Sequence, residues 1–259
     1  MNGWRVLGVD ACKSGWIGIA LSEGAVSAYA AAEIGGLVEE AAAVGPLAVI
    51  AVDIPIGLPD TGRRQADILA RKAVGPLWPS VFMTPVRPAM EAPDYATAAD
   101  LSRRLAGEGI SRQAFALQAK ILQVDRWVRE TPHRVVEVHP EASFAELAGA
   151  ALQSRKSRWA GTVLRRRLLA GAGISLPDDL GPAAEKAAVD DVLDAAAAAW
   201  TAVRVLRGQA LSTPPESPSI SGPQGPLLGR REVGDLDKAA AVAEQLAPII
   251  RGMNPKDHA

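Results

Sequence analysis

The sequence predicts an α/β domain whose sheet opens with three antiparallel strands. Three observations carry this. Arg5 to Asp10, Trp16 to Leu21 and Ala25 to Ala30 are short runs of β-type residues joined by an ACKSG bend and a Glu23-Gly24 turn, the pattern of two consecutive hairpins. Leu47 to Ile54 is apolar throughout except for Asp53, as expected of a central strand buried on both faces. Between them, Glu33 to Val44 reads as a crossover helix ended by Gly45-Pro46.

Past Asp53 the segment IPIGLPDTGRRQAD turns the chain sharply. Ligands of α/β sheets bind outside the carboxyl ends of strands, so Arg63 and Arg64, nearest the strand tip on a helix from Arg63 to Ala73, are candidate substrate contacts. GPLWPSVFMTPVRPAM holds too many prolines for regular structure and predicts an ordered loop, packed down by Trp78 and Phe82, that could wall a site. Asp94 to Glu108 reads as a helix. A second helix begins with Ser111 as N-cap and runs to Glu130, with Lys120 among its exposed polar positions as a further candidate substrate contact. Arg134 to Val138 reads as a strand in which Glu137 stands alone among apolar neighbours, followed by His139, Pro140 and Glu141. Phe144 to Leu152 predicts a short helix.

The stretch SRKSRW is the densest basic patch, and Arg165 to Arg167 continue it on a helix from Gly161 to Ala170 whose charged face reads as solvated. Cations beside an aromatic ring suit a sugar-phosphate backbone with bases to stack, so Lys156 and Arg158 are candidate phosphate contacts. Val189 to Val205 is an alanine-rich helix with Asp190, Asp191 and Asp194 at its start. After it the chain changes character: Ser212 to Gly229 reads as a Pro/Gly/Ser-rich linker and Asp235 to Ile250 as a short amphipathic helix. The predicted organisation is one domain over residues 1–210 and a linker with a helical tail over 211–259.

Composition narrows the function. With 28 basic and 29 acidic residues the net charge is -1, so any nucleic-acid contact must come from local patches. A lone cysteine, Cys12, excludes an intramolecular disulfide and fits a reducing compartment. Neither a basic-then-apolar leader pattern nor a membrane-length apolar run stands out, which predicts a soluble cytoplasmic protein without a membrane partner. There is no G-x-S-x-G elbow, phosphate loop or G-x-G-x-x-G turn.

The acids carry the chemistry that remains. Asp10 and Asp53 each end an apolar strand, while Asp190, Asp191 and Asp194 crowd one end of a helix; acid in a first helical turn also suits the helix dipole. If these groups converge, each pair of charges about 4 Å apart repels by roughly 4 kcal/mol at an effective dielectric near 20, so a cation binds or some acids stay protonated. Carboxylates without His or Cys partners favour Mg or Mn over Zn, and such ions can activate water for phosphodiester cleavage in a two-metal arrangement. Glu137 is a candidate extra ligand.

The phrases VDACKSGW, AVDIPIGLPD with GRRQAD, VFMTPVRPAM, GISRQAFALQAKILQVD, VEVHPEASFAEL and DDVLDAAAAAWTA resemble an uncharacterised bacterial and archaeal family of predicted RNase H-like nucleases, over about Val6 to Gly208. The resemblance implies an RNase H-like fold with a five-stranded mixed sheet flanked by helices. It also implies that Asp10, Asp53, and Asp191 with Asp194 hold the catalytic metals, Asp190 being a further candidate, and that the partner is DNA or RNA. Cys12 fits the small-residue turn after the first acid and is expected to pack. The alternative is a module that keeps the scaffold but binds a nucleotide, a phosphorylated ligand or a protein without cleaving.

Overall fold

A computed structural model describes residues 4–214 and 227–229. Its centre is a five-stranded mixed sheet of order β3-β2-β1-β4-β5, the architecture that the resemblance implies. Strands β1 (Arg5–Cys12), β2 (Gly15–Ser22) and β3 (Ala25–Ala31) form the antiparallel meander. Helix α1 (Ile34–Ala43) then crosses to β4 (Val49–Val52), which pairs parallel with β1 and carries four fully buried residues.

The chain leaves β4 through α2 (Gln65–Val74), a 3-10 segment at Gly75–Ser80, and the single turn α3 (Arg87–Met90). Three prolines of the 75–90 loop, Pro76, Pro79 and Pro88, therefore sit in two short helical turns where no regular structure is expected; Pro76 fills an early helical position that needs no N–H donor. Helix α4 (Tyr95–Ala106) starts at Asp94, whose carboxylate accepts the Thr97 N–H at 2.9 Å. Ser111 caps α5 (Arg112–Ala116) as expected, but the chain breaks at Leu117, where ψ is 1°, before α6 (Gln118–Glu130).

Strand β5 (Val135–Glu137) joins the sheet parallel to β4. Helix α7 (Pro140–Ala148) starts earlier than the expected Phe144, because a proline suits the first turn, and stops at Gly149, whose φ of 72° only glycine adopts freely. Helices α8 (Trp159–Gly171) and α9 (Val189–Leu206) follow. Part of the stretch that reads as linker is paired: β6 (Ala210–Ser212) and β7 (Leu227–Gly229) form an antiparallel ribbon. The expected helix at Asp235 to Ile250 lies outside the described residues. Among the described residues, no helix is long and apolar enough to cross a membrane.

Strand alternation divides the core in two. Leu7, Val9, Ile50 and Val52 face α1, α4 and α6, while Val6, Val49, Ala51 and Val136 face α7, α8 and α9. On the second face, Gly8 lets α9 come close. A Cβ at Gly8 would stand 2.1 Å from both the Ala195 carbonyl oxygen and the Ala199 nitrogen, so strand and helix backbones touch. The run Ala195–Ala199, fully buried, has the small side chains this contact requires.

Candidate metal centre

The close contact of β1 with α9 also sets the site. Asp10 lies two residues beyond Gly8 and shares its face, toward α9. Asp53 follows β4 by the same alternation from Val49 and Ala51. Asp194 precedes the alanine run by one residue. Their carboxylates therefore converge: one oxygen from each of Asp10, Asp53 and Asp194 lies within 4.8 Å of the others, a group able to hold a metal ion. Asp10 and Asp194 are buried and Asp53 partly so.

Burial raises the Asp10 carboxyl well above the usual range, and Asp53 and Asp194 add to it. The same two causes, burial and then Asp194, raise Asp53. Asp194 is pushed up to about 6 by burial, with Lys156 pulling the other way. The Lys156 ammonium contacts Asp194 Oδ2 and lies 3.9 Å from Asp190 Oδ2. Burial works against its charge, but Asp194 and Asp10 outweigh that and hold it protonated. Asp194 Oδ1, also buried, accepts no hydrogen bond among the described residues.

The remaining acids of α9 sit at the rim. Asp191 is half-buried, lines the same cavity of about 350 Å³, and accepts the Ala188 N–H at 3.3 Å as a helix cap. Burial raises its carboxyl as well. Asp190 sits outside the three-acid group, facing Lys156.

Glu137 departs from the role of extra ligand. It shares its sheet face with Val135, opposite α9, and its oxygens are taken by Arg64 at 2.5 Å and the Ile56 N–H at 2.7 Å. Arg64 is in turn a structural counter-ion rather than a free substrate contact, since it also donates to the Ile56 carbonyl and lies 3.4 Å from Asp67. Arg63 is turned away to Glu108 at 2.9 Å. Lys120 donates to the Gly15 carbonyl and stacks on Trp16 at 4.8 Å, while burial lowers its pKa. Arg158 is exposed beside Trp159, at the start of α8. Cys12 is buried, with its sulfur 3.3 Å from Ser14 Oγ.

Arg165 does not lie on a solvated face. It is fully buried and binds both oxygens of Glu141, at 2.8 and 2.6 Å, and Glu141 lines the same cavity as the three acids. The signal was present: Gly161, Leu164, Arg165, Leu168 and Leu169 follow helical spacing, which puts Arg165 on the apolar stripe. His139 is a further group at the site. It lines the cavity, its Nδ1 is buried without a partner among the described residues, and burial with Lys156 pushes it down to about 4, so it is neutral at pH 7.

A family model described as a protein of unknown function, DUF429, matches residues 8–219. The chain belongs to the DUF429 family. Neither curated proteins nor solved structures give a match to it. The matched span of this DUF429 protein takes in β1 from Gly8 onward with Asp10, β4 with Asp53, and the whole of α9. All three acids of the metal group thus lie within the family domain.

Proposed function

We propose that this DUF429 protein is a divalent-metal-dependent nuclease of RNase H-like descent that hydrolyses phosphodiester bonds. The observation that carries the reading is the meeting of Asp10, Asp53 and Asp194 from two parallel strands and the start of a late helix. The donor set fits a hard cation: three carboxylates, no thiolate among them, and one buried oxygen of Asp194 left without a partner among the described residues. Mg or Mn held there would supply a water of lowered pKa and neutralise charge developing on a phosphate.

The chain's own groups do the rest. Asp10 and Asp194, anchored by the Gly8 contact, would hold the cation together with Asp53. Asp191 at the rim and neutral His139 face the cavity where a proton on water or on a leaving oxygen would be handled. Trp159 is 83% exposed and follows exposed Arg158 in the chain, and Trp78 is 52% exposed with Arg71 5.4 Å from its ring. An exposed indole with a guanidinium beside it suits a stacked base and its phosphate, which supports nucleic acid as the substrate class.

The test is cleavage of single-stranded, duplex, hybrid and branched substrates with Mg or Mn, against Asp53→Asn. Metal-dependent cleavage lost in the variant supports the reading; an intact panel removes it. The second reading, a non-cleaving binding module, is favoured by Lys156, which already neutralises part of the cluster from within the chain. It predicts no saturable heat when Mn is titrated into the protein.

A further inference from the structure

The loop before α8 places a lysine among acids that would otherwise be left to metal, and the surrounding structure holds it there. Three successive carbonyls of this loop are anchored to the first turns of α8. The Ser154 carbonyl accepts from Arg165 at 3.0 Å, and the Lys156 carbonyl accepts from Thr162 Oγ1 at 2.8 Å. The Arg155 carbonyl packs where a Cβ on Gly161 would stand, 2.0 Å away, so only glycine admits it. Arg165 is itself locked to Glu141 on α7. The Lys156 side chain is 34% exposed and its ammonium rests on Asp194 Oδ2.

Charge then decides what the centre can hold. Asp10, Asp53 and Asp194 carry three negative charges when ionised, and Lys156 returns one positive charge, leaving a deficit that one divalent cation neutralises. Two divalent ions beside the same lysine would leave the inner three-acid group with excess positive charge, which only the rim acids Asp190 and Asp191 could offset. Asp194 is divided to match: Oδ2 meets the ammonium, while buried Oδ1 is without a partner among the described residues.

We infer that Lys156 is a resident cation of this centre, standing where a second metal would stand, so that the site binds one divalent ion. The inference rests on the metal-centre reading above and replaces its two-metal form with one ion and one ammonium. Lys156 lines the same cavity as the acids, so its free N–H groups are placed to meet an anionic substrate oxygen.

The test is calorimetric titration of Mn into the full chain, stripped of metal, for wild type, Lys156→Met and Lys156→Arg. The expected result is one Mn per chain in wild type and in the Arg variant. In the Met variant a second Mn binds, or the first binds at least about tenfold tighter, because a positive charge beside the site is gone. Heat appearing only in the Met variant also supports a resident cation. Two Mn per wild-type chain, or unchanged stoichiometry and affinity in the Met variant, overturns the inference while leaving the metal centre standing. No saturable heat in any of the three proteins sinks the metal centre and this inference together. A Met variant that does not fold, judged by circular dichroism, leaves the wild-type stoichiometry and the Arg variant to decide.

Discussion

Replacing Asp10 with asparagine should make the metal-free protein more stable. The carboxylate oxygens of Asp10, Asp53 and Asp194 lie within 4.8 Å of one another. At such a distance each pair of charges repels by roughly 3–4 kcal/mol at an effective dielectric near 20. Lys156 offsets part of this, and protonation limits the rest: holding a proton on an acid at pH 7.5 costs at most about 5 kcal/mol relative to its ordinary pKa. Asparagine keeps the oxygen that accepts the Ala11 N–H at 2.7 Å and removes a buried charge. The expected gain is about 1–3 kcal/mol, and each kcal/mol raises Tm by roughly 2–4 °C in a chain of this size. The pH sign follows from the raised pKa of Asp10. Its stabilising contribution is present below the ordinary carboxyl pKa and is lost as pH rises through the folded value, so the gap between variant and wild type widens from pH 5 to pH 8. Mn at a hundred times its Kd should add about 2.7 kcal/mol to wild type and far less to the variant. Thermal unfolding in chelator and in Mn, at both pH values, measures all of this. A variant less stable than wild type in chelator at pH 7.5, by an amount independent of pH, would refute the reasoning.

Three further outcomes are expected. Gly8→Ala forces a methyl group into the Ala195 carbonyl and Ala199 nitrogen, so chemical denaturation should show a loss of at least about 2 kcal/mol, and Mn affinity should fall because Asp194 moves away from Asp10. Arg165→Ala strands Glu141 in the core and should cost about 3–5 kcal/mol, whereas Arg165→Met with Glu141→Leu should recover most of it; a double variant no better than the single one argues against a buried pair. Apparent Mn affinity should drop as pH falls through about 6, where Asp194 takes up its proton, and calorimetry showing no change between pH 7.5 and pH 5.5 contradicts this.

The sheet was legible because its signals are local. Hairpin turns at Ser14-Gly15 and Glu23-Gly24 and the apolar run around β4 each constrain neighbouring residues, and the structure places three antiparallel strands and a parallel one where they were expected. Boundaries failed where a helix could begin on proline, as α7 does at Pro140, or bend without one, as between α5 and α6 at Leu117. At the site, the lone acids at strand ends were visible as candidates, but which of them meet depends on the face each occupies. Glu137 shows what the alternation decides: Val136 faces α9, whereas Glu137 lines the same cavity but has its oxygens taken by Arg64 and the Ile56 N–H, outside the three-acid group. Arg165 is marked by the apolar stripe it shares, but its partner and that of Lys156 are not legible, for another reason. In a basic-looking stretch, partners distant in sequence decide which cation is solvated and which is buried; Glu141 and Asp194 are 24 and 38 residues away.

The same packing that makes the domain stable makes its acidic centre costly. Alanines on α9 contribute little apolar area each, so their value lies in the close approach they permit, and that approach excludes water from Asp10 and Asp194. Excluding water disfavours the charged carboxylates, as the raised pKa of all three acids records. A surface patch of acids would impose no such burden and would bind a divalent ion weakly, whereas on the metal-centre reading the unrelieved charge here would itself be the driving force for taking one up. Lys156 relieves only part of that burden. The residual charge, held rigid by backbone contact between β1 and α9, gives a cation more to gain here than at the dispersed acids of the surface, and it ties affinity for the metal to the integrity of the fold.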